Sequence, residues 1–101
     1  MKKRGVTIRR TDKNQAKIVE DLRRAGYGIL DIHQIGHGAP DPVVSDRYHT
    51  ILVEVKDFGG RYTPDELAFG ARWPGDIITA FSARDVMAWF SDRADRDNGH
   101  D

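Results

Sequence analysis

Asp41, Glu54 and Lys56 are the residues of this chain whose types and spacing could do chemistry. Each falls in a segment otherwise written in strand residues, PDPVV (40–44) and TILVEVK (50–56). Charges seldom enter such segments without compensation. DRYH (46–49) reads as the turn between them, centred between Arg47 and Tyr48. Antiparallel pairing about that point sets Asp41 opposite Glu54 and Val43 opposite Leu52, and directly opposed residues share a face. Strand alternation adds Lys56 to that face and sends Ile51, Val53 and Val55 to the other. Opposed carboxylates, with Cβ atoms roughly 5 Å apart, repel each other. A shared proton, a nearby cation or a bound metal ion would relieve them. Lys56 supplies one positive charge against two negative ones. A hard divalent cation such as Mg²⁺, which prefers carboxylate oxygen, would complete the neutralisation. The spacing leaves a second reading open, a salt-bridged hairpin with solvated ends. A one-residue slip in the pairing would undo the alignment.

The elements that must position these residues follow from periodicity and punctuation. A helix is expected from about Asp12 to Ala25, capped by Thr11 or Asp12 and stopped by Gly26. Ile18, Val19, Leu22 and Ala25 form its apolar stripe, with Gln15 at one edge. YGILDIHQI (27–35) reads as a strand, IGHGAP as a Gly-rich loop, and Pro42 as a strand start. TILVEVK is the clearest strand. FGGRYTP is a loop, and Thr63 or Pro64 opens a second helix that ends before Pro74-Gly75. DIITAF (76–81) is a short strand, and Ser82 caps a last helix, SARDVMAWF. The order α-β-β-β-α-β-α places the chain in the α/β or α+β class.

The chain has 101 residues, enough for one domain with one modest core. Its 39% hydrophobic and 32% charged residues suit a globular protein. No apolar run reaches the roughly 20 residues that span a bilayer, so no membrane partner is expected. MKKRGVTIRR lacks the apolar stretch of a secretory signal, and a cytoplasmic location is the default expectation. Without cysteine there are no disulfides and no thiolate metal ligands. Net charge is zero, but residues 1–10 carry five cations and no acid. Such an arm could bind phosphate by counterion release or stand as a solvated terminus. The expected organisation is a basic arm over 1–10, a domain over 11–91 and a polar tail over 92–101.

Pro40-Asp41 followed by Glu54-Val55-Lys56 resembles the PD-(D/E)XK nuclease motif. The flanking text NQAKIVEDLRRAGYGILDI, GAPDPVV, ILVEVKD, YTPDELAFGARWPG and SARDVMAWF extends the likeness over about residues 11–90. It is similar to small stand-alone nucleases of the virus-type replication-repair (VRR-NUC) group, related to archaeal Holliday-junction resolvases and often encoded by phages or prophages. The resemblance implies a restriction-endonuclease-like α/β fold, a central mixed four-stranded sheet flanked by helices. It also implies Mg²⁺, with Mn²⁺ as a substitute, held by Asp41, Glu54 and the backbone carbonyl of Val55, with Lys56 beside the scissile phosphate. The group usually has an acid eleven residues before the helix-ending glycine, and here that position is Gln15. Gln15 could ligate the metal through its amide oxygen or hold a metal-bound water, but it brings no charge. Glu20, roughly 140° further around the helix, is expected on the solvated face. The group often has Gln where this chain has Glu66, which is expected to act as a first-turn acid favoured by the helix dipole.

The activity so implied is hydrolysis of DNA phosphodiesters by a Mg²⁺-dependent endonuclease, with branched DNA such as a Holliday junction or flap as the family-level substrate. Lys56 could act as general base or as electrostatic stabiliser. The two carboxylates favour its charged form and hence the second role. Symmetric cutting of a junction needs two active sites, and so a homodimer. The alternative is a nucleic-acid-binding module with a nuclease fold and little activity, the reading that Gln15 favours. A small protein-interaction domain is a third. His33, His37, His49 and His100 do not make a metal spacing such as HExxH. His37 is expected as a solvent-exposed loop residue, and Arg61, Tyr62 and Arg72 as polar surface. Trp73 and Trp89 are expected to anchor packing.

Overall fold

A computed structural model of the chain describes residues 10–97. The expected basic arm lies outside the described residues apart from Arg10, as do residues 98–101 of the expected tail. The elements run α1 (Arg10–Arg24), β1 (Gly28–Leu30), β2 (Val43–Ser45), β3 (Thr50–Val55), α2 (Pro64–Arg72), β4 (Ile77–Ala80) and α3 (Ala83–Asp97). They build an α/β fold around one mixed sheet of order β1-β2-β3-β4. The first two pairings are antiparallel, and β3 pairs parallel with β4. Among the described residues, no helix is long and apolar enough to cross a membrane.

The β2–β3 hairpin has the expected register, with Val43 opposite Leu52 and Val44 opposite Ile51. Its turn is fixed by Asp46, whose Oδ1 accepts from the amides of Tyr48 at 2.9 Å and His49 at 2.8 Å. Alternation along β3 then sorts the faces. Ile51, Val53 and Val55 join Val44 and Ala80 on one side of the sheet. Ile18 and Leu22 of α1, with Ala83, Val86 and Phe90 of α3, close over them to make the core. Leu52, Glu54 and Lys56 fall to the other side, where α2 contributes no buried residue.

Helix ends follow local chemistry. Gly26, at φ +99°, closes α1. The Tyr27 amide bonds Leu22 O and the Gly26 amide bonds Arg23 O, each at 3.0 Å, which is the Schellman pattern. Thr63 and Glu66 form a reciprocal capping box at α2, with Pro64 in its first turn. At α3, Ser82 Oγ accepts from the Asp85 amide at 3.3 Å, and Asp85 Oδ2 accepts from the Phe81 amide at 2.8 Å.

Two lengths differ from expectation. β1 holds three residues rather than nine, because the carboxylate of Asp31 accepts from the His33 amide at 3.0 Å and turns the chain out of the sheet. α3 runs to Asp97, past the expected end at Phe90, so much of the expected tail is helix. Its polar extension is supported by side chains: Arg96 pairs with Asp92 at 3.3 Å, and Arg93 lies over the Trp89 ring at 4.8 Å.

Candidate functional site

α1 brings two polar residues to the mouth of the sheet. Asn14 donates from Nδ2 to Lys56 O at 3.1 Å and to Phe81 O at 3.2 Å, tying the helix to the ends of β3 and β4. Four residues on, Ile18 enters the core, so Asn14 is the polar end of the apolar stripe. Sequence reading passed over Asn14. The only available signal was its position four before Ile18. Gln15 is its neighbour, and its Nε2 donates to Asp41 Oδ2. Glu20 stays off the site, in an exposed pair with Arg24 at 2.8 Å.

Asp41 stands two residues before β2, and the expected antiparallel pairing stops at Val43 and Leu52; beyond it Asp41 makes an isolated bridge of parallel type with Glu54. The ladder is interrupted beside it because Pro42 has no amide hydrogen; its carbonyl still accepts from the Val53 amide at 2.9 Å. Both oxygens of Asp41 are engaged, Oδ2 by Gln15 and Oδ1 by the Ile32 amide at 2.7 Å. The loop before Asp41 also touches α2. A Cβ on Gly38, which has φ +80°, would lie 2.2 Å from Asp65 O, so only glycine fits there.

Glu54 and Lys56 are each only 9% exposed, which makes their charges a matter of local compensation. Lys56 Nζ lies 3.5 Å from Glu54 Oε2 and 2.8 Å from Glu66 Oε1, and it donates to Arg61 O at 2.9 Å. The Tyr62 ring covers it at 5.2 Å, and the Tyr62 hydroxyl meets Thr79 Oγ1. Glu66 therefore does more than the first-turn role expected of it. One oxygen serves both the Thr63 amide in the capping box and the Lys56 ammonium. Val55 turns its side chain into the core and borders the site only through its backbone. The two carboxylates of the motif thus have adjacent backbones but separate partners: Gln15 and Ile32 hold Asp41, while Lys56 holds Glu54.

Two carboxylates against one ammonium leave this pocket short of positive charge. Burial first, then the nearby Glu66 charge, pushes Glu54 up to about 7, while Glu66, hydrogen-bonded to Lys56 and the Thr63 amide, stays below the usual range. A carboxyl raised in the folded state stabilises the fold below its unfolded value, and that contribution is lost as pH rises through the folded value. In the metal-free protein, Glu54 should therefore stabilise under acid conditions and cease to do so through about pH 7. Carboxyl ¹³C NMR should place its midpoint there, and Glu66→Gln should lower it. A Glu54 midpoint near the ordinary 4.5 contradicts the burial described.

A second group of polar side chains gathers around Asp41. Asp31 Oδ1 lies 2.6 Å from His33 Nδ1, and this hydrogen bond holds the Asp31 carboxyl below its usual range. Asp31, His33 and Asp41 each present a ligand atom, all within 4.8 Å of one another. Among the described residues this is the only such trio, and sequence reading missed it. His37, expected in the loop, is exposed with φ +57°. Trp89 packs edge-on against Phe90, but Trp73, expected as an anchor, stacks on Phe69 at 5.4 Å and remains 43% exposed. Compared with family models, with characterised proteins and with solved structures, the chain has no match.

Proposed function

We propose that this chain is a divalent-metal-dependent endodeoxyribonuclease of the PD-(D/E)XK type. The observation that carries the reading is the isolated bridge that sets the Asp41 backbone beside Glu54, with Lys56 Nζ 3.5 Å from the Glu54 carboxylate, in the order of the motif. The donors suit Mg²⁺ or Mn²⁺: the Asp41 and Glu54 carboxylates and the Val55 carbonyl are all oxygen. Burial first, and then the Glu66 charge, raises Glu54 to about 7, and a bound cation would favour its charged form again.

When bound, such an ion would neutralise phosphate charge and make a water acidic enough to attack. The protein's own groups do the rest. Gln15 and the Ile32 amide fix the direction of the Asp41 carboxylate. Glu66, Arg61 O and the Tyr62 ring hold the Lys56 ammonium in place, where it would stabilise charge developing on the phosphoryl oxygens. Its carboxylate neighbours raise its pKa, which suits it to electrostatic work rather than to taking a proton. Branched DNA, a homodimer and a cytoplasmic setting belong to this proposal.

The test is cleavage of linear, nicked, flapped and four-way DNA with Mg²⁺ or Mn²⁺. We expect cutting that EDTA abolishes and that Asp41→Asn and Glu54→Gln each lower at least about 100-fold. Full activity in both variants, or activity indifferent to EDTA, would sink the reading. Gln15, neutral where it meets Asp41, favours a second one, a binding module with little catalysis. DNA binding without cutting, unchanged by divalent metal, would select it.

A further inference from the structure

The geometry points to a transition-metal site formed by Asp31, His33 and Asp41, separate from the Glu54–Lys56–Glu66 cluster. It borrows Asp41 from the proposed nuclease site and otherwise stands independently of that reading.

The local fold assembles the three ligands through the backbone. β1 ends at Leu30, and Asp31 turns the chain by accepting the His33 amide, which folds the imidazole back against its own carboxylate. The amide between these two residues, that of Ile32, donates to Asp41 Oδ1. Asp41 is thereby fastened to the same turn, ten positions along the chain from Asp31. The trio is held by main-chain contacts, so little ordering remains for an ion to impose.

Charge and spacing agree with a cation. Two carboxylates converge here, and Gln15, the α1 residue that touches Asp41, is neutral. Metal–ligand bonds of roughly 2.1 Å put adjacent ligands of an octahedral ion about 3 Å apart. Ligand atoms already within 4.8 Å of one another need only small side-chain movements to meet that. Imidazole nitrogen selects the kind of ion. Mg²⁺ prefers oxygen and water, whereas Mn²⁺ and Zn²⁺ accept a mixed nitrogen and oxygen set. Side-chain exposures of 53% for Asp31 and 62% for His33 leave room for water to complete the shell. The site also opens on a groove of about 670 Å³ lined by Gln15, Glu20, Arg23, Asp31 and His33, through which water could reach a bound ion.

The experiment is a titration of the metal-free full chain with Mn²⁺, read by paramagnetic broadening of the histidine ring resonances. His33 is assigned by its loss in His33→Ala. Substoichiometric Mn²⁺ should broaden the His33 ring before those of His37, His49 and His100. Asp31→Ala should weaken this effect at least about 10-fold, since even outer partners of metal ligands are worth 10–100-fold. Glu54→Gln should leave it in place. Both replaced side chains in the Asp31 and His33 variants are exposed, circular dichroism should report an unchanged fold, and Asp31→Asn, which keeps an oxygen to accept the His33 amide, should weaken the broadening as well. The proposal is overturned if His33 broadens no earlier than His100, if Asp31→Ala has no effect, or if Glu54→Gln abolishes the broadening. The last outcome would move the ion to Glu54 and leave the nuclease reading standing. Early, Asp31-dependent broadening in a protein that cuts no DNA would uphold this site and remove the nuclease reading.

Discussion

Lys56→Met should cost about 3 kcal/mol of stability near pH 8, much less near pH 5, and lower cleavage by about 100-fold or more. The substitution keeps an unbranched side chain of similar length, so packing beneath Tyr62 changes little. What disappears is the ammonium between Glu54, at 3.5 Å, and Glu66, at 2.8 Å. Both carboxylates are largely enclosed, and breaking a buried pair by deleting one partner leaves the other charge uncompensated. Each then responds by holding a proton more tightly. A carboxyl whose folded pKa rises contributes its stability below the unfolded value and loses it as pH climbs through the folded value. The penalty relative to the parent chain must therefore grow with pH. Urea denaturation at the two pH values measures this without reference to DNA. A penalty equal at both would mean that the Lys56 ammonium is not what compensates these carboxylates. Lys56→Arg supplies the complementary control. It keeps the charge but brings a planar fork where the pocket receives a point donor, so stability should recover more fully than cleavage.

The parts of this fold legible in the sequence are those set by short-range rules. TILVEVK alternates and Asp46 fixes the turn, so the register that sets Val43 against Leu52 and Val44 against Ile51 could be computed from a turn centre alone. Gly26, Thr63 and Ser82 marked helix ends because capping is local chemistry. Where prediction overreached, a side chain outvoted the pattern. Ile29, Leu30, Ile32 and Ile35 look like a continuing strand, but Asp31 ends it by capping the His33 amide. α3 outlasts its apolar residues because Arg93 and Arg96 find partners on the helix itself. What could not be read was anything decided by a contact between distant elements. Asn14 is an ordinary helix residue until the ends of β3 and β4 arrive beside it. Glu66 is an ordinary cap until Lys56 reaches it from another element. Asp31 and His33 meet Asp41 only because the loop between them returns to the mouth of the sheet.

Phe90→Ala should destabilise the protein by about 3–5 kcal/mol, a large part of the roughly 5–15 kcal/mol that holds such a domain folded. Phe90 is 2% exposed and lies in the core with Ile18, Leu22 and Val86. Its ring sits 5.2 Å from that of Tyr27 and 5.1 Å from that of Trp89, joining α3 to the start of β1. Truncation removes the ring's transfer energy and leaves a cavity bounded by the sheet and two helices, neither of which can move in without losing other contacts. For a domain of this size each kcal/mol shifts the thermal midpoint by about 4–8 °C, so the effect is easily resolved. Phe58→Ala is the matched control. That ring is 96% exposed in the loop after β3, and its removal should stay within about 0.5 kcal/mol. The consequence extends to the site, because α1 shares this core through Ile18 and Leu22 and carries Asn14 and Gln15 on the same helix. Loosening the core should thus weaken the hold on Asp41 before the chain unfolds, seen as early hydrogen exchange of the Ile32 amide that donates to it. Equal midpoints for Phe90→Ala and Phe58→Ala would mean that α3 does not dock on the sheet through Phe90, and the placement of α1 beside Asp41 would lose its support.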